Sequence, residues 1–563
     1  MMNTEIISII FMFLFTVLLG LPIGRYIAKV YLGERTVLDR ICGPIDRFIY
    51  KVSGINPTQA MSWKENLSAL LTVNLVWLFL SMLVLMIQHI LPLNPDHNPG
   101  MSPDLAFNTA ISFVVNCNLQ HYSGESGLSY LSQGMLMFLQ FVSAGVGMAA
   151  AAMLFRAFRE KQTQSLGNFY QLFVKSCTRI LLPIAILIAS LLVFQGTPMT
   201  YQGKQQMISL EGDTVDVSTG PVAAFVSIKH LGTNGGGFFG ANSNHPFENP
   251  SFLTNMTEMI AQFIIPIAMI FAFGYYIQKK KFAWVIFAVM TLGFLCLAIP
   301  TVQMERAGNP AIAAMGINQE SGAMEGKDIR IGAAAAGFWS IVTTVISTGS
   351  INSMHDSSMA LSGMNQLLGM MINAFYGGCG VGILNFFVFI ILAVFISGLM
   401  VGRTPEFMGK KVDAKEMKIA MMIALLHPFL ILVSTAMASY YPSLGAATTN
   451  NPGFHGFSEI LYEYTSAAAN NGSGFEGLAD NNLWWNISTG IVLLFGRFIP
   501  IIGPVAIAGL LAEKRYIPES AGTLKTDTFT FGFMILAVIL IVAALSFFPA
   551  LTLGPIAEYF SLK

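Results

Sequence analysis

Gly235, Gly349 and Gly472 each stand in a polar turn that follows a semi-apolar stretch of about four helical turns. A fourth turn follows a stretch of the same kind, and its tip carries Asn116, Cys117 and Asn118 with no glycine at the matching place. These tips offer backbone carbonyls, amides and hydroxyls but no fixed carboxylate, which is the donor set for a dehydrated monovalent cation. Glycine allows backbone conformations that strain other residues and lets another chain approach closely. Asn234, Thr348, Asn470 and Asn471 have side chains able to hold such turns by hydrogen bonding to nearby backbone. An ordinary external loop also favours Gly, Asn and Ser. Recurrence four times along one chain is what favours a shared binding ring.

The elements that must position these turns are membrane spans. The 563 residues are 54% hydrophobic and only 11% charged, outside the soluble norm. A helical span needs about 20 apolar residues, and runs of that kind predict spans near 5–24, 67–92, 128–155, 172–195, 256–278, 282–302, 369–400, 418–440, 486–511 and 528–549. The stretches beginning at Phe107, Ala223, Ala334 and Phe457 are too short to cross. They read as half-helices that dip in from one side and end at the polar turns. Unpaired backbone is tolerated at that depth only where protein buries it or it lines water.

The expected fold is therefore an all-α integral membrane protein of about ten transmembrane helices. Four pseudo-symmetric repeats of span, re-entrant pore loop and span surround a central selectivity filter, and one extra span precedes them. The corresponding divisions are 1–60 for the first span and its loop, 61–160, 161–280, 281–415 and 416–515 for the repeats, and 516–563 for the last span.

Formal net charge is zero, so no basic face points to nucleic acid. Clusters such as Lys279–Lys281, and Arg403 with Lys410, Lys411, Lys415 and Lys418, fall on one side of the predicted spans, which places both termini on the external face. Five scattered cysteines lack metal-ligand spacing and read as free thiols. Glu125, Glu248, Asp356 and Glu459 lie just outside the turns, where they would concentrate cations at the mouth or be solvated or paired at the surface. The run AFYGGCGVG from Ala374 reads as a broken helix below the filter or as close helix packing. Below a cation site, Arg403 and Arg497 would repel a cation from the straight path, and each also fits a positive-inside anchor.

Together QHYSGE, LGTNGGGFF, ANSNHPFENP, GRTPEFMGKK, NPGFHGFSE, ANNGS and ALTLGPIAEY span nearly the whole chain. On them the sequence resembles the KdpA family, the potassium-binding, channel-like subunit of the bacterial Kdp ATPase. The resemblance implies a filter of Asn116, Cys117 and Asn118, Thr233, Asn234 and Gly235, Ser347, Thr348 and Gly349, and Asn470, Asn471 and Gly472. Gln120 and Gly236 would adjoin it, and Arg403 and Arg497 would obstruct direct passage beneath it. Potassium is then the transported ion, with no nucleotide on this chain. The implied partners are KdpB, a P-type ATPase, with KdpC, KdpF and membrane lipid, in a bacterial inner membrane. Potassium would enter from outside and leave sideways through an intersubunit tunnel. The chain has NCNLQ, FFGANS and STG where relatives differ, and Asn373 where some carry a glutamate near the tunnel entrance.

Two other classes compete. A stand-alone Trk, Ktr or HKT-type channel or symporter shares the repeated architecture. A membrane enzyme would need clustered His, Asp and Glu in catalytic geometry, and these tips are mainly Gly, Asn, Ser and Thr. The segment TLKTDTF from Thr523 has only a passing likeness to the phosphorylation loop of P-type pumps.

Overall fold

Caps written into the sequence mark where several spans begin. Ser62 and Glu65 form a reciprocal capping box at the start of Trp63–Ile87, and Asp413 and Glu416 do the same for Ala414–Tyr440. The Asn482 side chain accepts from the Trp485 N–H to open Leu483–Glu513. In the computed structural model, which describes residues 4–402, 404–518 and 525–562, ten helices are long and apolar enough to cross a membrane. Arg403 and the first residues of TLKTDTF lie outside the described residues.

The first span, Thr4–Leu32, packs along the fifth, Phe252–Tyr276. Gly20 and Gly24 make that contact possible: a Cβ on Gly24 would stand 2.6 Å from the Ala268 carbonyl oxygen. Small residues at a helix crossing allow this approach. The third span, Tyr130–Arg159, and the fifth are buried nearly throughout and form the centre. The first, second, eighth and tenth spans turn residues such as Phe11, Leu18, Phe79, Met422, Phe429 and Leu545 outward. An apolar outer face around a polar centre suits a protein whose solvent is lipid.

Four short helices sit between the spans: Pro103–Val114, Val222–Leu231, Ala333–Ile346 and Gly453–Ala469. They are the expected half-helices, starting one residue before the predicted stretch in the second and third and four residues before it in the first and fourth. The run 369–400, expected as one span, is instead two helices, Ala360–Ile372 and Val381–Val401. Between them Asn373, Tyr376, Gly377, Gly378 and Gly380 all have positive φ. Three of those five are glycines, so the broken-helix reading of AFYGGCGVG is the one the fold adopts. Two small antiparallel hairpins, Gln205–Ile208 with Thr214–Val217 and Glu406–Phe407 with Lys410–Lys411, lie in the connections.

Candidate functional site

Each half-helix ends in the same way. Asn116, Thr233, Ser347 and Asn470 are left-handed, with φ of 65°, 52°, 61° and 51°. The next residue then donates its N–H five residues back: Cys117 to Ser112 O at 3.0 Å, Asn234 to Lys229 O at 2.9 Å, Thr348 to Thr343 O at 2.9 Å, and Asn471 to Ser466 O at 2.9 Å. That bond after a left-handed residue is the Schellman closure, which stops a helix and turns the chain aside. Its usual left-handed residue is glycine, yet here Asn, Thr and Ser carry the strain. Glycine occupies the third position instead in the second, third and fourth turns.

The third positions meet. A Cβ on Gly235 would stand 2.8 Å from the Cys117 oxygen and 2.8 Å from Gly472 Cα. One on Gly349 would stand 2.1 Å from the Asn471 oxygen, and one on Gly472 would stand 2.2 Å from the Cys117 oxygen. All four turns therefore converge on one axis with carbonyl oxygens at contact range. Gly349 and Gly472 need glycine for their φ of 86° and 107° as well as for space. Gly235 does not share that φ, so of the two expected uses of glycine, backbone freedom and close approach, only the second applies there. Asn118, with φ of 63°, takes the matching place in the first turn.

Side chains stitch the turns into a ring. Asn116 Nδ2 donates to Gly232 O at 3.1 Å and Thr233 O at 3.0 Å, and Ser143 Oγ donates to Asn116 Oδ1 at 2.8 Å, joining turns one and two. Ser347 Oγ donates to Ala469 O at 2.8 Å and Asn471 Nδ2 to Thr343 O at 2.8 Å, joining three and four. His121 lies between Asn486 Oδ1 at 2.7 Å and Glu463 Oε1 at 3.2 Å, joining four back to one. Asn234 bonds Gln140 O, and Asn470 bonds Ala467 O and Leu493 O, as turn-holding residues should. Thr348 departs from that expectation: among the described residues its buried hydroxyl has no hydrogen-bond partner, nor do the two amide atoms of Asn118. Buried oxygens left unpaired beside an axis suit water or a cation. Gln120 exchanges two bonds with the Gly237 backbone, at 2.8 and 3.1 Å, and Gly236 O accepts from Gln140 Nε2 at 2.9 Å.

Beneath the ring lies the broken segment. Cys379 N donates to Thr233 Oγ1 at 2.9 Å, and a Cβ on Gly378 would meet that same Oγ1 at 3.2 Å. Arg497 is buried here, its Nη2 at 3.5 Å from Ser143 O, with Gly147 separating it from the Cys379 carbonyl. Among the described residues no carboxylate pairs with it, so its charge faces the underside of the ring uncompensated. To one side is a cavity of about 60 Å³ lined by Asn373, Asn385, His427, Ala468, Gly496 and Pro500 among others. That volume holds more than one water.

The outer acids are not free attractors. Glu248 is fully buried against Lys229, and Glu125 accepts from Gly240 N at 2.8 Å. Asp356 pairs with His455 at 2.9 Å, and Glu459 accepts from the N–H groups of Asn450 and Asn451. Burial raises the Glu459 pKa against those hydrogen bonds. All five cysteines are free.

Residues 10–560 match the family KdpA, described as Potassium-transporting ATPase A subunit. This chain belongs to the KdpA family. Relatives named Potassium-transporting ATPase potassium-binding subunit include that of Flavobacterium psychrophilum, 67% identical over the whole of both chains. That of Phocaeicola vulgatus is 57% identical over the whole of both, and that of Geobacillus kaustophilus 47% identical over 98% of each. The potassium transporter TrkH from Vibrio parahaemolyticus shares the fold, with a TM-score of 0.52 at 16% identity over 89% of this chain and 98% of that one. Ten apolar helices and KdpA membership make this a multi-pass membrane protein.

Of the residues singled out on the KdpA resemblance, Cys117, Gly235, Gly349, Asn471 and Gly472 meet in the structure, Gln120 and Gly236 are held beside the second turn, and Arg497 lies against Ser143. The sequence reading missed Asn242, whose Nδ2 holds Gly235 O at 2.5 Å, and the bracing residues Ser143 and Gln140. Ser143 and Gln140 sit one helical turn apart on the third span, a weak signal.

Proposed function

We propose that this chain selects potassium in the ring of four turns and passes it to a separate ATP-hydrolysing subunit. The observation that carries the reading is the meeting of Gly235, Gly349 and Gly472 with the Cys117 and Asn471 carbonyls on one axis. Carbonyl dipoles there replace the hydration shell of a bare cation. The half-helices end at the ring, so their negative dipole ends favour positive charge at that point. Twelve residues form the filter: Asn116, Cys117, Asn118, Thr233, Asn234, Gly235, Ser347, Thr348, Gly349, Asn470, Asn471 and Gly472.

Potassium enters from the external side, which also holds both termini. Arg497, joined by Arg403, repels it from a straight descent. The cation therefore leaves sideways through the cavity at Asn373, Asn385 and His427 toward KdpB, with KdpC and KdpF completing the complex in the bacterial inner membrane. The relatives' shared name, a potassium-binding subunit of a potassium-transporting ATPase, supports this division of labour. The TrkH-like fold relates the alternative, a stand-alone channel or symporter, to this chain only as a distant likeness, and potassium uptake that persists without the ATPase partner would favour that reading.

The test is ATP hydrolysis by the complex purified with its ATPase partner, titrated with potassium against sodium. Stimulation of the native complex at low potassium but not by sodium, with Gly235→Asp needing far more potassium, is expected. Equal responses in native and variant would place selectivity in the partner instead.

A further inference from the structure

The second turn differs from the other three, and the cause lies behind it. Asn118, Gly349 and Gly472 are left-handed at the third position, whereas Gly235 is not, and its carbonyl accepts from Asn242 Nδ2 at 2.5 Å. Asn242 Oδ1 accepts from Lys229 Nζ at 2.8 Å. Lys229 is wholly buried and finds one partner for each ammonium proton: Asn242 Oδ1, Ser243 Oγ at 2.8 Å and Glu248 Oε2 at 2.5 Å. An ammonium only donates, so Asn242 must turn its oxygen toward Lys229 and its nitrogen toward Gly235. Ser350 Oγ, next to Gly349, also donates to that oxygen at 3.0 Å. Glu248 is anchored in turn, its Oε1 accepting from Phe239 N at 2.9 Å.

We propose that Lys229 is a positioning residue of the filter, acting through Asn242 to hold the Gly235 carbonyl and so set the ring's preference among alkali cations. The inference rests on the four turns being the potassium site. The Gly235 carbonyl is held by a side-chain amide, whereas the Cys117 carbonyl accepts from the Gly235 N–H at 2.9 Å, so the ring is asymmetric and its second turn is the one tied to a buried charge. Releasing it changes the number and field of the coordinating oxygens, the quantities that govern selection in carbonyl filters.

Asn242→Asp keeps the shape and the contact with Lys229 but points an oxygen at the Gly235 carbonyl. Lys229→Met with Glu248→Gln removes the orienting charge without leaving an unpaired carboxylate. Each is purified in the full complex with its ATPase partner, and ATP hydrolysis is titrated with potassium, rubidium and sodium beside Gly235→Asp. The expected result for both is a rise of about tenfold in half-activating potassium, the size of roughly one lost hydrogen bond, with an altered potassium-to-rubidium ratio. An unchanged cation ratio in both, with Gly235→Asp still impaired, overturns the positioning role and leaves the filter standing. No effect of any of the three overturns the filter itself. If the double variant fails to assemble, Asn242→Asp alone decides, and failure of both to assemble overturns the proposal in favour of a purely structural role.

Discussion

Gly349 and Asn471 touch across the axis: a Cβ added to Gly349 would lie 2.1 Å from the Asn471 carbonyl oxygen. Gly349 also holds φ at 86°, a conformation that costs an L-residue about 1–2 kcal/mol. Gly349→Ala therefore must either displace the Asn471 carbonyl or open the ring. The expected outcome is a loss of about tenfold or more in apparent potassium affinity, read from potassium-stimulated ATP hydrolysis by the whole complex.

Asn116 tolerates its left-handed backbone and clamps two carbonyls of the second turn. Asn116→Ala loses both bonds and that from Ser143, and it meets the left-handed backbone less readily than Asn does, for a destabilisation of about 2–4 kcal/mol from the two effects together. Asn116→Gly relieves the strain but not the lost bonds. Thermal unfolding of the assembled complex should rank native above Asn116→Gly above Asn116→Ala, and any other order would contradict the clamp.

Among the described residues no carboxylate pairs with Arg497, which is buried beside the break at Cys379. If the arginine charge closes the straight path, Arg497→Gln should let potassium cross proteoliposomes without ATP, while Arg497→Lys should stay tight. A potassium-sensitive dye inside the vesicles reads both, and equal tightness would remove the barrier role.

His121 links the first and fourth repeats through Asn486, Glu463 and Asp480. Burial works against its charged form, but Asp480 and Glu463 outweigh burial and raise its pKa from 6.5 to about 9. A raised pKa means the pairing stabilises fully below 6.5 and is lost as pH climbs through about 9. The complex should therefore unfold at lower temperature as pH passes through that window. His121→Gln should flatten the dependence there.

Much of this site was legible before folding. The recurrence of a short apolar stretch followed by Asn, Gly, Ser and Thr named all four turns, because a half-helix too short to span leaves a length signature in the chain. The same logic failed at 369–400, where hydropathy is continuous through the break and only the glycines of AFYGGCGVG betray it. Glycine was read as the residue of backbone freedom and of close approach. The helix-ending strain falls instead on Asn116, Thr233, Ser347 and Asn470, since which residue takes positive φ is set by how the turn closes. Glu248 was read as a mouth acid or as a solvated or paired surface acid, and it is instead buried against Lys229.

By itself the sequence determined the membrane class, the number of spans and the chemistry of the turns. Each of these answers a local demand: a length of apolar side chain to match the hydrocarbon, or a backbone group that must find a partner at depth. Only the tertiary structure decided that Cys117, Gly235, Gly349 and Asn471 share one axis, that Arg497 lies beneath them, and that Lys229 reaches Gly235 through Asn242. Those contacts join segments up to 354 residues apart, as Ser143 and Arg497 are. Their register depends on how ten helices pack together, and no local window of sequence carries that information.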